Sequence, residues 1–208
     1  IQDFQFPSGE APPTWTQVLS VDDKNVVGVT DAGELLQIRL EAKNNLALIA
    51  KQALPGPVVG RIVVTGGQFA VACLTGDVQV FDATKLEPKG QRTLEVPASG
   101  AAYVTSAGIL VESGNETLHC LNSDTELTEK WTMKLPDSTL AGQPVEIDGQ
   151  LVLAFRNGLV LHVNPQSGEI ASEQQASGQL DSGPVQLGNS WFLLTWDGSL
   201  IPLRPLAK

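Results

Sequence analysis

An all-β fold is what this 208-residue sequence predicts, and three observations carry the expectation. One short pattern returns five times along the chain. Apolar segments of roughly four to eight residues alternate with Gly, Asn and Asp turns, as hairpin-joined strands do. No stretch shows a sustained helical period between helix caps.

The recurring pattern reads GELLQIR from Gly33, GDVQVFD from Gly76, ETLHCLN from Glu116, GLVLHVN from Gly158 and GSLIPLR from Gly198, at offsets of 43, 40, 42 and 40 residues. Its third position is always Leu or Val (Leu35, Val78, Leu118, Val160, Leu200), and its sixth is always apolar (Ile38, Phe81, Leu121, Val163, Leu203). Four of the five begin with Gly, which suits a hairpin turn that needs positive φ. A second strand precedes each pattern: NVVGVT, QFAVACL, GILVES, QLVLAF and SWFLLTW. Before four of these lies a short apolar first strand, in RIVVTGG, AAYVTSAG, QPVEIDG and GPVQLGN. A more polar fourth strand follows four patterns, in LALIAKQAL, QRTLEV, EKWTMKL and IASEQQA. A four-stranded antiparallel unit of about 40 residues that recurs is a β-propeller blade. The expectation is one domain over 1–208, with blades at about 14–54, 55–96, 97–139, 140–179 and 180–208 plus 1–7.

That last assignment follows from the fifth repeat, which has three strands. The N-terminal IQDFQFP reads as its missing fourth strand and leads through SGEAPPTW into the first blade, as ALPGP and EVPASG lead into later ones. Such a strand would hide an edge otherwise open to aggregation. Five repeats cut from a larger ring would begin and end in the same way, so both readings stand. An N-terminal Ile also suits an excised domain or a processed product.

Composition narrows function mainly by exclusion. A formal net charge of −10 argues against nucleic acid, whose phosphates require a basic stripe. That acidity suits solubility first and a basic partner second. No apolar run reaches the roughly 18 residues of a membrane helix, so this segment is not expected to insert. Cys73 and Cys120 lie far apart in apolar stretches and read as buried free thiols, which leaves the compartment open.

The repeats resemble the quinoprotein-dehydrogenase-like, or PQQ-like, family. The residues that carry the likeness are TGDVQVFDATKLEP at Thr75–Pro88, NGLVLHVNPQSGEI at Asn157–Ile170, and Trp131 on an outer strand in EKWTMKL. The family's complete docking pattern AxDxxTGxxxW occurs in no repeat. There is no vicinal Cys pair to cap a quinone and no convergent acidic set for calcium, so the resemblance implies the non-catalytic branch, without cofactor or metal. It also leans toward an extracytoplasmic setting.

Among single residues, Asp22-Asp23 reads as an acidic turn rather than a cation site. His119 and His162 fall at adjacent pattern positions, which face opposite sides of a strand, and two histidines are too few to suggest a triad. The residue two before each pattern start, expected as the last of the second strand and next to the turn, is Asp31, Leu74, Gly114, Arg156 or Trp196. In a propeller these turns share a face with the connections between blades, which carry Trp15. Trp, Arg and Leu on one rim are residue types that anchor interfaces. The expected function is therefore a non-enzymatic scaffold that binds a protein or peptide through Trp196, Arg156, Leu74, Asp31 and Trp15. The second reading is a carbohydrate-binding or glycosidase propeller with its site at the channel mouth. Against it, the innermost strands offer only Glu146 where hydrolysis needs paired carboxyls.

Overall fold

The computed structural model describes residues 13–42 and 45–203. All the regular structure there is β, in five antiparallel sheets, and the fold is that of a β-propeller with five blade sheets. The first contains β1 (Trp15–Ser20), β2 (Asn25–Thr30), β3 (Glu34–Leu40) and β4 (Leu46–Ala53). The second contains β5 (Val58–Val59), β6 (Gln68–Cys73), β7 (Asp77–Asp82) and β8 (Pro88–Thr93). The third contains β9 (Ala98–Thr105), β10 (Gly108–Ser113), β11 (Thr117–Leu121) and β12 (Glu129–Lys134). The fourth contains β13 (Val145–Ile147), β14 (Gln150–Ala154), β15 (Leu159–Val163) and β16 (Ile170–Gln175). The fifth has three strands, β17 (Val185–Leu187), β18 (Ser190–Leu194) and β19 (Leu200–Pro202). In every sheet sequential strands are neighbours. The strand expected from residues 1–7 lies outside the described residues.

The repeat's opening glycine does what its position requires. Gly33, Gly76, Gly158 and Gly198 have φ of 74°, 93°, 92° and 84°, and each donates its N–H to the carbonyl three residues back, at 2.9–3.1 Å. This is a tight turn closed by a left-handed residue. The third repeat has Glu116 in that position and shifts the strain, because Gly114 and Asn115 each take φ of 58°. A second bond fixes the far side of the turn. The carbonyls of Gly33, Gly76, Glu116 and Gly158 accept the N–H of Leu54, Leu94, Leu135 and Ala176, the residues that directly follow the fourth strands, at 2.7–2.9 Å.

Burial follows the repeat. The third-position residues Leu35, Val78, Leu118 and Val160 are at most 1% exposed, whereas Leu200 of the three-stranded sheet is 59% exposed. Cys73 and Cys120 are buried thiols, as expected. RIVV departs from expectation, since β5 is Val58–Val59 and residues 61–64 are not strand. The Gln17 side chain replaces a ladder there: its Nε2 donates to Gly60 O at 2.7 Å, and its Oε1 accepts the Ile62 N–H at 3.0 Å.

The chain forms two compact units, residues 1–104 with 124–127, and residues 105–123 with 128–208. In the first, Phe69 and Phe81 stack at 5.5 Å, and the Gln37 amide donates to Thr84 O. In the second, Trp131 of β12 lies against Gly168 in the turn after β15, where an added Cβ would come within 2.7 Å of the indole, and Trp131 Nε1 donates to Pro165 O at 3.2 Å. An indole is thus docked on the neighbouring blade although no repeat carries the full motif. An indole, a residue without Cβ and a free carbonyl are enough.

Gly158→Ala is expected to lower stability by about 1–3 kcal/mol, since the new Cβ would sit at positive φ and 2.6 Å from Gly178 O. Glu116→Ala, at the equivalent position without that φ, is expected to stay within about 0.5 kcal/mol. Thermal or urea unfolding of the two variants side by side checks the contrast.

Candidate functional site

The second-to-third-strand turns share one end of each sheet with the connections between blades, and backbone bonds hold them together. In the first unit Asp31 N donates to Thr14 O at 3.0 Å and Leu74 N to Pro57 O at 2.9 Å. In the second, Arg156 N donates to Thr139 O and Trp196 N to Gln179 O, both at 3.0 Å. All four residues lie in the turn itself and not at the end of the second strand, Asp31 and Leu74 one position beyond it and Arg156 and Trp196 two. Their backbones are fixed and their side chains project. Trp196 is 67% exposed, Leu74 is 59% exposed, and Asp31 and Arg156 are exposed.

The second unit brings Arg156 and Trp196 together. Leu180 N donates to Arg156 O at 3.1 Å, next to Gln179, which receives Trp196 N. Two consecutive residues therefore bridge the turns of the fourth and fifth sheets. Trp15 is placed differently. It belongs to β1, opposite Thr30, and its half-buried ring lies over Gly28, where a Cβ would come within 1.9 Å of it.

Glu112 was not legible from the sequence. Residue 112 aligns with Val29, Ala72, Ala154 and Leu194 of the other repeats, yet it is a carboxyl only 3% exposed. Its Oε1 accepts the Leu140 N–H at 2.6 Å, which ties β10 to the entry of the fourth sheet. Burial pushes its pKa up to about 7, against the opposing effects of the Leu140 N–H and the positive charge of Arg156. Arg156 thus faces solvent on one side and a buried carboxyl electrostatically on the other.

A second polar chain crosses the third sheet through His119. Ser113 Oγ lies 2.8 Å from His119 Nε2, and His119 Nδ1 lies 3.0 Å from Glu129 Oε2. With Nδ1 protonated toward the carboxylate, Nε2 accepts the serine proton. The order is that of a hydrolase relay. Ser113, however, is 4% exposed, so the hydroxyl that would attack has almost no solvent approach. What the relay does in this arrangement is pin β10, β11 and β12 to one another. His162 is 2% exposed and shares a 3.0 Å hydrogen bond between its Nε2 and the Gln174 amide, and burial lowers its pKa. Beside Gln174, a cleft of about 330 Å³ opens between Val160 of the fourth sheet and Leu193 and Ile201 of the fifth. Asp22 caps its own turn, with Oδ1 accepting the Lys24 and Asn25 N–H groups at 2.8 Å each. Among the described residues no cluster of three or more His, Cys, Asp or Glu is arranged to hold a metal ion.

No sequence-family model matches the chain, and neither does any curated protein. Solved structures do, at the level of fold. The chain is similar to BamB from Moraxella catarrhalis, with 18% identity and a TM-score of 0.66 over 87% of this chain and 54% of that one. It is similar to BBS1N in a complex with ARL6DN, with 19% identity and a TM-score of 0.64 over 85% and 59% of the two chains. It is also similar to Saccharomyces cerevisiae Sqt1, with 9% identity and a TM-score of 0.73 over 90% and 57%. The chain therefore spans a little over half the length of these neighbours.

Two outcomes test the site's chemistry. Glu112 has a folded pKa near 7, above the ordinary value of 4.5, so the folded state holds this proton more tightly than the unfolded state. Its penalty is absent below about pH 4.5, grows as pH rises to about 7 and is complete above, reaching on the order of 3 kcal/mol. Glu112→Gln keeps an acceptor for Leu140, and is expected to be more stable than the parent at pH 8 but not at pH 4.5 in paired urea melts. Ser113→Ala is expected to cost about 1 kcal/mol through the lost relay bond, and the parent is expected to resist labelling by a fluorophosphonate.

Proposed function

We propose that this chain is a non-enzymatic binding platform that holds a partner protein on the turn-end rim of its blade sheets, with Trp196 as the anchor. The observation that carries this reading is the combination at Trp196: a backbone fixed by Gln179 and a large ring left mostly in solvent. A pre-fixed aromatic loses little conformational freedom on binding, and such residues dominate interface energetics. Arg156, brought alongside through Gln179 and Leu180, supplies the second anchor, while Leu74 and Asp31 occupy the same turn position in the first unit. Trp15, half-buried over Gly28, is included in the binding set on the side of the first unit.

The structural neighbours support the reading at the level of analogy, since one of them, BBS1N, was solved in a complex with ARL6DN. Trp131 seated on Gly168 supports the PQQ-like resemblance, and the burial of Glu112 and Ser113 favours its non-catalytic branch. Trp196→Ala is expected to lower affinity for a partner about tenfold or more, while the midpoint of thermal unfolding shifts by less than about 2 °C. Parallel losses of affinity and stability would make Trp196 a packing residue and sink the reading.

A further inference from the structure

We infer that the partner segment seated on the Arg156–Trp196 rim is basic, with a lysine or arginine head group over the Trp196 ring. This rests on the platform reading above and adds the chemistry of what the platform accepts. The inference comes from which charges the backbone links bring to the exposed indole. Asp197 directly follows Trp196. Its carboxylate accepts from the Thr195 hydroxyl and from Ser199 N at 3.0 Å, and the Thr195 bond foremost holds its pKa below the usual carboxylate range. Asp181 follows the Gln179–Leu180 bridge, and its N–H is fixed on Leu194 O at 2.9 Å. Asp137 stands two residues before Thr139, the residue whose carbonyl receives Arg156 N. All three aspartates are exposed.

Arg156 is the cation in this group, and it lies in the field of the buried Glu112 carboxyl. The three aspartates thus lie on the segments that backbone bonds join to the Arg156 and Trp196 turns, where they outnumber Arg156, within a chain whose formal net charge is −10. An indole face attracts a cation through its quadrupole, and flanking carboxylates add charge-assisted hydrogen bonds. An acidic or purely apolar segment would meet repulsion or unpaired carboxylates at the same place.

The test uses the full 208-residue chain and three fluorescent probe peptides of equal length: one with alternating Lys and Gly, one with Glu replacing Lys, and one with Leu replacing Lys. Fluorescence anisotropy is expected to detect the lysine peptide alone. Binding should weaken about tenfold in Trp196→Ala. It should weaken several-fold in the Asp137→Asn, Asp181→Asn double variant, and again when salt rises from about 50 mM to about 500 mM. Circular dichroism melts of both variants keep a folding defect from passing as a binding defect. Trp196-dependent binding of the Glu or Leu peptide would overturn the basic-partner inference while leaving the rim as the platform. If no peptide binds in a Trp196-dependent way, the inference fails. An identified partner whose affinity is also indifferent to Trp196→Ala would remove the platform reading as well.

Discussion

A blade sheet cannot bury its own apolar face, and every other feature of the chain is arranged around that constraint. The third-position residues of four repeats are sealed to 1% exposure or less by what packs on their sheets, while Leu200, in a sheet of three described strands, stays 59% exposed. Hydrophobic burial is proportional to the area removed from water, so each sheet is stabilised mainly through its neighbours. The polar ties then fix how neighbours meet. Gln17 takes both a carbonyl and an N–H of the next sheet's entry, Glu112 takes the Leu140 N–H, and Trp131 sits on Gly168. None of these repeats in sequence. Each of these ties uses a different side chain, the one that the local sequence offers there.

The same constraint explains where functional freedom is left. Sheet faces are committed to packing and strand backbones to the ladder. The turns at one end carry the remaining side chains, held by bonds on both sides: N–H groups to the preceding connection and carbonyls to the end of the fourth strand. Such a turn can change its side chain without disturbing the fold, as Asp31, Leu74, Arg156 and Trp196 illustrate. Such turns have fixed backbones and side chains that vary among repeats, the properties on which the proposed platform rests.

What the sequence displayed was whatever depends on local backbone chemistry. The opening glycines were legible because only positive φ closes these turns cheaply, and the four observed angles agree. Strand order followed from apolar alternation between turns. Glu112 was hidden because its burial depends on a backbone N–H 28 residues away, so within GILVES it looks like any outward strand residue. The Ser113–His119–Glu129 chain was hidden because it requires the register of three strands, including an irregularity between Cys120 and Leu121 that no periodicity announces. Trp131 was legible as an outer-strand residue, but its seat on Gly168 was not, because the surrounding motif is incomplete.

Amide hydrogen exchange, resolved to single residues by NMR, tests most directly the claim that these turns have fixed backbones beneath free side chains. The N–H groups of Leu74, Arg156 and Trp196 should exchange as slowly as those of the central strands β6, β14 and β18, because each is bonded to a carbonyl of the preceding connection. Exchange at the rate of an open loop would contradict this. The turn residues would then be mobile, and the rim would have no preformed shape for a partner to recognise.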